Sequence, residues 1–178
     1  MSVRGIIRAF ILGSGLTVLA ASSAFAQQLD KIGVTMGYPG AIGIQVPIND
    51  QVALRPEVSF GGGSSDSSSS GNFGLGVGAL WYVRGDDVVR TYVIPRIGFS
   101  RSHVNAKPNS GLTGDSHSTA TTISGSVGAE YRAHPNFGLF AELGLSFAHS
   151  SNEIKVIDSK STSNSWGTRT AIGAIVRF

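Results

Sequence analysis

The sequence predicts an all-β protein: an eight-stranded antiparallel up-and-down barrel that crosses a membrane. Three observations predict it. Beyond residue 28, apolar side chains recur with a period of two rather than 3.6. The links between the alternating runs fall into a short set and a long polar set. Glycines and charges share one face of the runs and leave the other face apolar.

The chain opens on "MSVRGIIRAFILGSGLTVLAASSAFAQQ". Arg4 and Arg8 give a basic leader, Phe10 to Ala21 a mainly apolar stretch, and Ala24-Phe25-Ala26 the small-x-small pattern cut by signal peptidase. Gly13, Ser14 and Gly15 interrupt the run and leave it shorter than the ~20 apolar residues of a spanning helix. We therefore expect a signal peptide over residues 1–26 and a single barrel domain over 27–178. The precursor holds 14 Lys+Arg against 11 Asp+Glu, and two arginines leave with the leader, so the mature chain is 12 against 11. That near-neutral balance gives no nucleic-acid footprint. The chain has no cysteine, which removes disulfides and thiolate metal sites together. Nothing in it resembles a cofactor-binding motif, and we expect no cofactor and no metal.

The strands follow in order, at roughly 31–38, 41–48, 52–61, 72–83, 90–104, 117–132, 137–150 and 163–178. In "FGLGVGALWYV" (73–83), Phe73, Leu75, Val77, Ala79, Trp81 and Val83 fall on one face, opposite Gly74, Gly76 and Gly78. "FGLFAELGLSFAH" (137–149) repeats the arrangement, with Glu142 and Gly144 on the glycine side. Short inner turns are expected at 49–51, 84–87 and 133–136. Long polar outer loops are expected at "GGSSDSSSSG" (62–71), "NAKPNSGLTGDS" (105–116) and "SNEIKVIDSKST" (151–162); the first is Gly/Ser-rich and reads as a mobile linker. Only "GYPGA" (37–41) is short on that side.

A soluble barrel would turn its apolar face inward. Here strand glycines 33, 37, 43, 61, 74, 76, 78, 98, 128, 138, 144, 167 and 173 lie on the polar face, and only Gly125 on the apolar one. Lys31, Arg55, Glu57, Arg96, Glu130, Arg132, Glu142, Arg169 and Arg177 lie with the glycines. A narrow lumen accepts small residues and paired charges, so this face points in and the apolar face meets lipid. Lipid offers no hydrogen-bond partner, so the sheet must close on itself. Tyr38, Phe60, Phe73, Phe147 and Trp166 are expected in an outer aromatic girdle, and Trp81, Tyr131, Phe137 and Phe178 in an inner one.

The chain ends in "AIGAIVRF". This resembles the C-terminal insertion signal of outer-membrane β-barrels, an aromatic preceded by apolar residues at alternate positions. The resemblance implies that Ile172, Ala174, Val176 and Phe178 are read by the barrel-assembly machinery; Val176 stands where the family often has an aromatic. "YVIPRIGFS" (92–100) and "SVGAEYRAHPNFGLFAELGLSF" (126–147) resemble the small outer-membrane barrels of the OmpA/OmpX kind, with a Gly-x-Glu-Tyr strand end, a Pro-Asn turn and a Glu-containing strand after it. That resemblance covers the whole mature chain and implies a Gram-negative surface protein set in outer-membrane lipid and lipopolysaccharide. It specifies fold far better than activity.

Two constellations bear on chemistry. Glu57, Arg96 and Glu142 stand about five or six residues above inner turns, and Arg55, Glu130 and Arg169 are placed to join them. Buried charge must be neutralised by a partner, so a lumen charge network is expected. It reads either as an ion path or as a plug; the narrowness of eight strands favours the plug and argues against a general porin. "HSSN" (149–152) resembles the motif of outer-membrane lipid A deacylases, in which a His and a Ser form a hydrolytic pair with a Glu. Here His149 and Ser151 share the outward face with Glu153, but that family draws its acid from farther along the chain, where this sequence has Ser and Thr. We expect no enzyme. His103, His117 and His134 show no ligand spacing. The outer loops are the surface an extracellular ligand would meet, but a specific adhesin more often presents apolar or aromatic anchors there, and these loops offer only Leu112, Ile154, Val156 and Ile157.

Overall fold

The computed structural model describes residues 31–65, 68–106, 115–154 and 159–178. The expected leader and the loop residues Leu112, Val156 and Ile157 lie outside them. Eight strands run β1 Gly33–Tyr38, β2 Ala41–Pro47, β3 Val52–Ser64, β4 Ser68–Gly85, β5 Val89–Ala106, β6 Asp115–His134, β7 Phe137–Ile154 and β8 Ser159–Arg177. Each pairs antiparallel with its neighbours in sequence, and β1 pairs with β8, so the sheet is a closed barrel. Following directly opposed residues from Gly37 through Ala41, Ser59, Gly74, Ser100, Ala120 and Ser150 arrives at Ser163, whereas across the seam Gly37 faces Gly173. The mismatch of ten residues (173 − 163) is the shear of the barrel, which tilts the strands by roughly 35–45°.

The expected strand order is present, but the strands of the outer side are longer than predicted. Gly62 to Ser64 and Ser68 to Gly71 continue β3 and β4, and β5 to β8 likewise run into the stretches expected as loops. The reading of 62–71 as a linker is therefore corrected. Outside the membrane both faces of a ladder meet water, so cross-strand hydrogen bonds persist where the apolar alternation has stopped.

The barrel is inside-out relative to a soluble domain. Met36, Ile44, Leu75, Ile97, Ile123, Val127, Leu143, Leu145 and Ile172 are exposed, while Arg55, Arg96, Glu130 and Glu142 are buried. Such a continuous apolar exterior is the surface that lipid covers. Phe147 and Trp166 pack with ring centroids 4.9 Å apart toward the loop end. At the other end, Asn49 Oδ1 accepts the N–H groups of Gln51 (2.9 Å) and Val52 (2.8 Å). Asp86 Oδ1 does the same for Val88 (2.9 Å) and Val89 (2.7 Å). These local bonds fix two of the short turns. The donors from Val89 and Val88 hold the Asp86 carboxyl below its ordinary pKa.

The hairpin β1–β2 is much shorter than the rest of the wall. Its turn is closed by Gly40 N–H donating to Gly37 C=O at 2.9 Å, with Gly40 at φ +72°, a conformation glycine adopts without penalty. Tyr38 at its tip faces Ile172, which lies midway along β8 between Trp166 and Phe178. Tyr38 thus sits near the middle of the apolar band, not in the outer girdle where the sequence pattern put it. Above the tip, Ala171 and the β8 residues before it pair only with β7, and Phe60 to Ser64 of β3 pair only with β4, among the described residues. The wall therefore carries a notch over β1–β2.

Gly125 is an outward glycine at which a side chain would meet nothing within 4 Å. Gly125→Ala is expected to stabilise the barrel by about 0.4–1 kcal/mol through loss of unfolded-chain freedom. Urea unfolding in lipid vesicles checks this; a loss of stability would mean that the position is not outward and free.

Candidate functional site: the charged lumen

The period of two on β3, β5 and β7 sends Arg55, Glu57, Arg96 and Glu142 to one level of the lumen. Glu142 is the hub. Its Oε1 accepts from Arg55 Nη2 and from Tyr92 Oη (2.9 Å), and its Oε2 from Arg96 Nη2 (2.7 Å). Glu57 is the second acceptor, taking Arg55 Nε at 2.9 Å and Arg96 Nη2 at 3.3 Å. Arg169 on β8 stands farther off, its Nη2 3.7 Å from Glu57. The Arg55 guanidinium also lies over the Phe140 ring at 4.9 Å. Both oxygens of a fully enclosed carboxylate are thus met by cationic donors, which is what keeps such a charge tolerable out of water.

The six residues expected as one network form two groups. Glu130 lies nearer the turn end, where it accepts from Arg177 Nη2 and from Tyr82 Oη (3.1 Å). Gln45 donates to the same Tyr82 oxygen at 2.9 Å. Between the two groups Ala53, Leu80, Tyr82, Tyr92 and Ile94 pack as a buried cluster. The turn-side half of the lumen is therefore filled by side chains. Tyr82, Tyr92, Gln45 and Arg177 are the members that sequence reasoning left out of the network. Their inward parity was visible, but their partners lie on other strands and depend on register.

Above the network the lumen opens. A cavity of about 240 Å³ has Glu57, Arg96 and Arg169 in its lining, small residues such as Gly74, Gly98 and Ser100 around it, and Pro39 and Ala41 of the short hairpin at its edge.

The other candidates lie elsewhere. His149 is exposed on the outside of β7, and its Nδ1 is 2.7 Å from Asn164 Oδ1; no hydrogen bond joins it to Ser151 among the described residues. His103 and His117 face each other across β5 and β6 near the rim. Among the described residues, no three His, Asp or Glu side chains cluster in a way that could hold a metal ion. Ile172, Val176 and Phe178 are exposed on the outer face of β8 with Ala174 half-buried between them.

A closed eight-stranded barrel with an apolar exterior and a charged, filled lumen is a transmembrane β-barrel. Residues 12–178 match the outer membrane protein beta-barrel domain family, and the chain belongs to it. It is an outer-membrane protein. Among solved structures it is similar to a major outer membrane protein from Thermus thermophilus, at 17% identity and a TM-score of 0.58, covering 83% of this chain and 98% of that one. CarO of Acinetobacter baumannii matches at 12% identity and a TM-score of 0.43, covering 83% of this chain and 97% of that one. No curated protein sequence matches.

Proposed function

We propose that this is a non-catalytic outer-membrane barrel with a structural or surface-interaction role, whose lumen does not conduct. The observation that carries the reading is the Glu142 hub, tied to β3 through Arg55 and to β5 through Arg96 and Tyr92, above a packed apolar layer. An ion crossing it must displace charge-assisted hydrogen bonds that nothing on its path replaces. The pairing of His149 with Asn164 rather than with Ser151 supports a non-catalytic role for the "HSSN" stretch. In this reading, outer-membrane lipid and lipopolysaccharide cover the apolar wall. The assembly machinery reads the stripe Ile172, Ala174, Val176 and Phe178, and the outer strands present the surface for an extracellular ligand.

The test is single-channel recording of the refolded barrel in planar bilayers, with folding checked by its heat-shifted gel mobility. No defined steps are expected. Reproducible steps that change in Glu142→Gln would mean that the inward charges line a path, and would overturn the reading.

A further inference from the structure

The charges around the cavity do not balance. Among the described residues, Arg55, Arg96 and Arg169 face only Glu57 and Glu142, leaving one positive charge in excess. The excess is on the cavity side. Arg96 is 6% exposed, yet among the described residues its Nη1 has no hydrogen-bond partner, and Nε of Arg169 has none either. Both residues line the cavity. Guanidinium N–H groups held away from water in this way are costly unless an acceptor arrives. The surrounding wall supplies hydroxyl donors from Ser59, Ser100, Thr122 and Ser124, with Gly74 and Gly98 leaving room between them.

We propose that this cavity is a binding site for a small oxyanion, a phosphate or carboxylate group, held by Arg96 and Arg169 and by the hydroxyls of the wall. Its size sets the class. A volume of about 240 Å³ takes such a group with a few waters and is too small for a drug-sized ligand. Guanidinium groups match the fork of two oxygens on either kind of anion. Two sources can deliver that chemistry. A free solute enters from the loop mouth. An anionic amphiphile enters sideways through the notch above Pro39 and Ala41, its head in the cavity and its tail left in the outer leaflet. The notch also needs an account of its own, since sheet edges at membrane depth are tolerated only where they line a hydrated or occupied cavity.

The experiment is a titration of the refolded barrel in uncharged detergent, followed by NMR of the arginine Nε–Hε signals. The two probes are inorganic phosphate and dodecyl phosphate. Signals of Arg96 and Arg169 are expected to move and saturate, while Arg101, exposed on the outside of β5, stays put. Arg169→Gln is expected to weaken binding by about tenfold or more. Gly98→Leu fills the cavity without touching the charges, and a side chain there starts from an ordinary 3.4 Å contact with the Leu75 carbonyl oxygen. It is expected to abolish the shifts in a barrel that still folds. A response to both probes, or to inorganic phosphate alone, identifies a solute site. A response to dodecyl phosphate alone identifies an amphiphile site served by the notch. Absence of saturable shifts with either probe in the wild-type barrel overturns the proposal, as does movement of Arg101 in step with Arg96, or binding unchanged by Gly98→Leu.

Discussion

Replacing Glu142 by alanine is expected to cost the barrel roughly 3–5 kcal/mol, the penalty for stranding buried charge. Glu142 is fully enclosed and receives Arg55, Arg96 and the Tyr92 hydroxyl. Removing it leaves Glu57, among the described residues, as the lone nearby counter-charge for three guanidinium groups. Unfolding by urea in lipid vesicles, read by the loss of heat-shifted gel mobility, measures the cost. Glu142→Gln retains the shape and some acceptor capacity, so its loss should be smaller. Arg55→Leu combined with Glu142→Leu should recover much of the stability, because a matched pair replaced by apolar groups strands less charge than one partner removed. Equal stability of wild type and Glu142→Ala would mean that water reaches the hub and that the lumen is not packed below it.

The second large effect is expected at the seam. Gly173 of β8 faces Gly37 of β1, and the two backbones approach closely there. A Cβ at Gly173 would collide with the Met36 carbonyl oxygen, and would stand 2.6 Å from Cζ of Phe140 and 2.7 Å from Cα of Gly37. Two of these three are backbone atoms that cannot turn aside. The cost therefore exceeds the ~1–3 kcal/mol of ordinary overpacking, since relief requires parting the ladder that closes the ring. Gly173→Val should give no heat-shifted band on refolding, whereas Gly125→Ala on the outer face should refold fully. A Gly173→Val barrel that folds with wild-type yield would show that the β1–β8 seam is looser than this register.

Much of the architecture was legible because lipid and lumen impose opposite demands on alternate residues. Runs such as Phe73 to Val83 and Phe137 to His149 carry both demands and announce themselves. Ser68 to Gly71 carry neither, since water bathes both faces, and their place in β4 follows only from ladder pairing with Gly62 to Ser64. The charges were assigned to the lumen by parity, yet parity says nothing about height. Glu130 and Glu142 are both inward, twelve residues apart in sequence, and their separation into different groups follows from the stagger between β6 and β7. The brevity of β1 and β2 was visible in the spacing of "GYPGA". Its meaning was not, because a strand's reach is defined only against its neighbours.

That short hairpin gives the molecule two hydrophobic thicknesses. Along β4 to β7 the apolar exterior runs the full height of a membrane barrel, roughly 25 Å, while over β1 and β2 it stops near mid-depth. A bilayer adapts to mismatch by thinning or by tilting what it holds, at a fraction of a kcal/mol per Å. Thinning of the lipid, where it occurs, is therefore expected on the β1–β2 flank. The turn responsible, Tyr38-Pro39-Gly40, carries no charge, in keeping with its depth. The barrel thus has a front and a back that the membrane itself distinguishes, and the elasticity of the leaflet around it is coupled to the direction in which the barrel tilts.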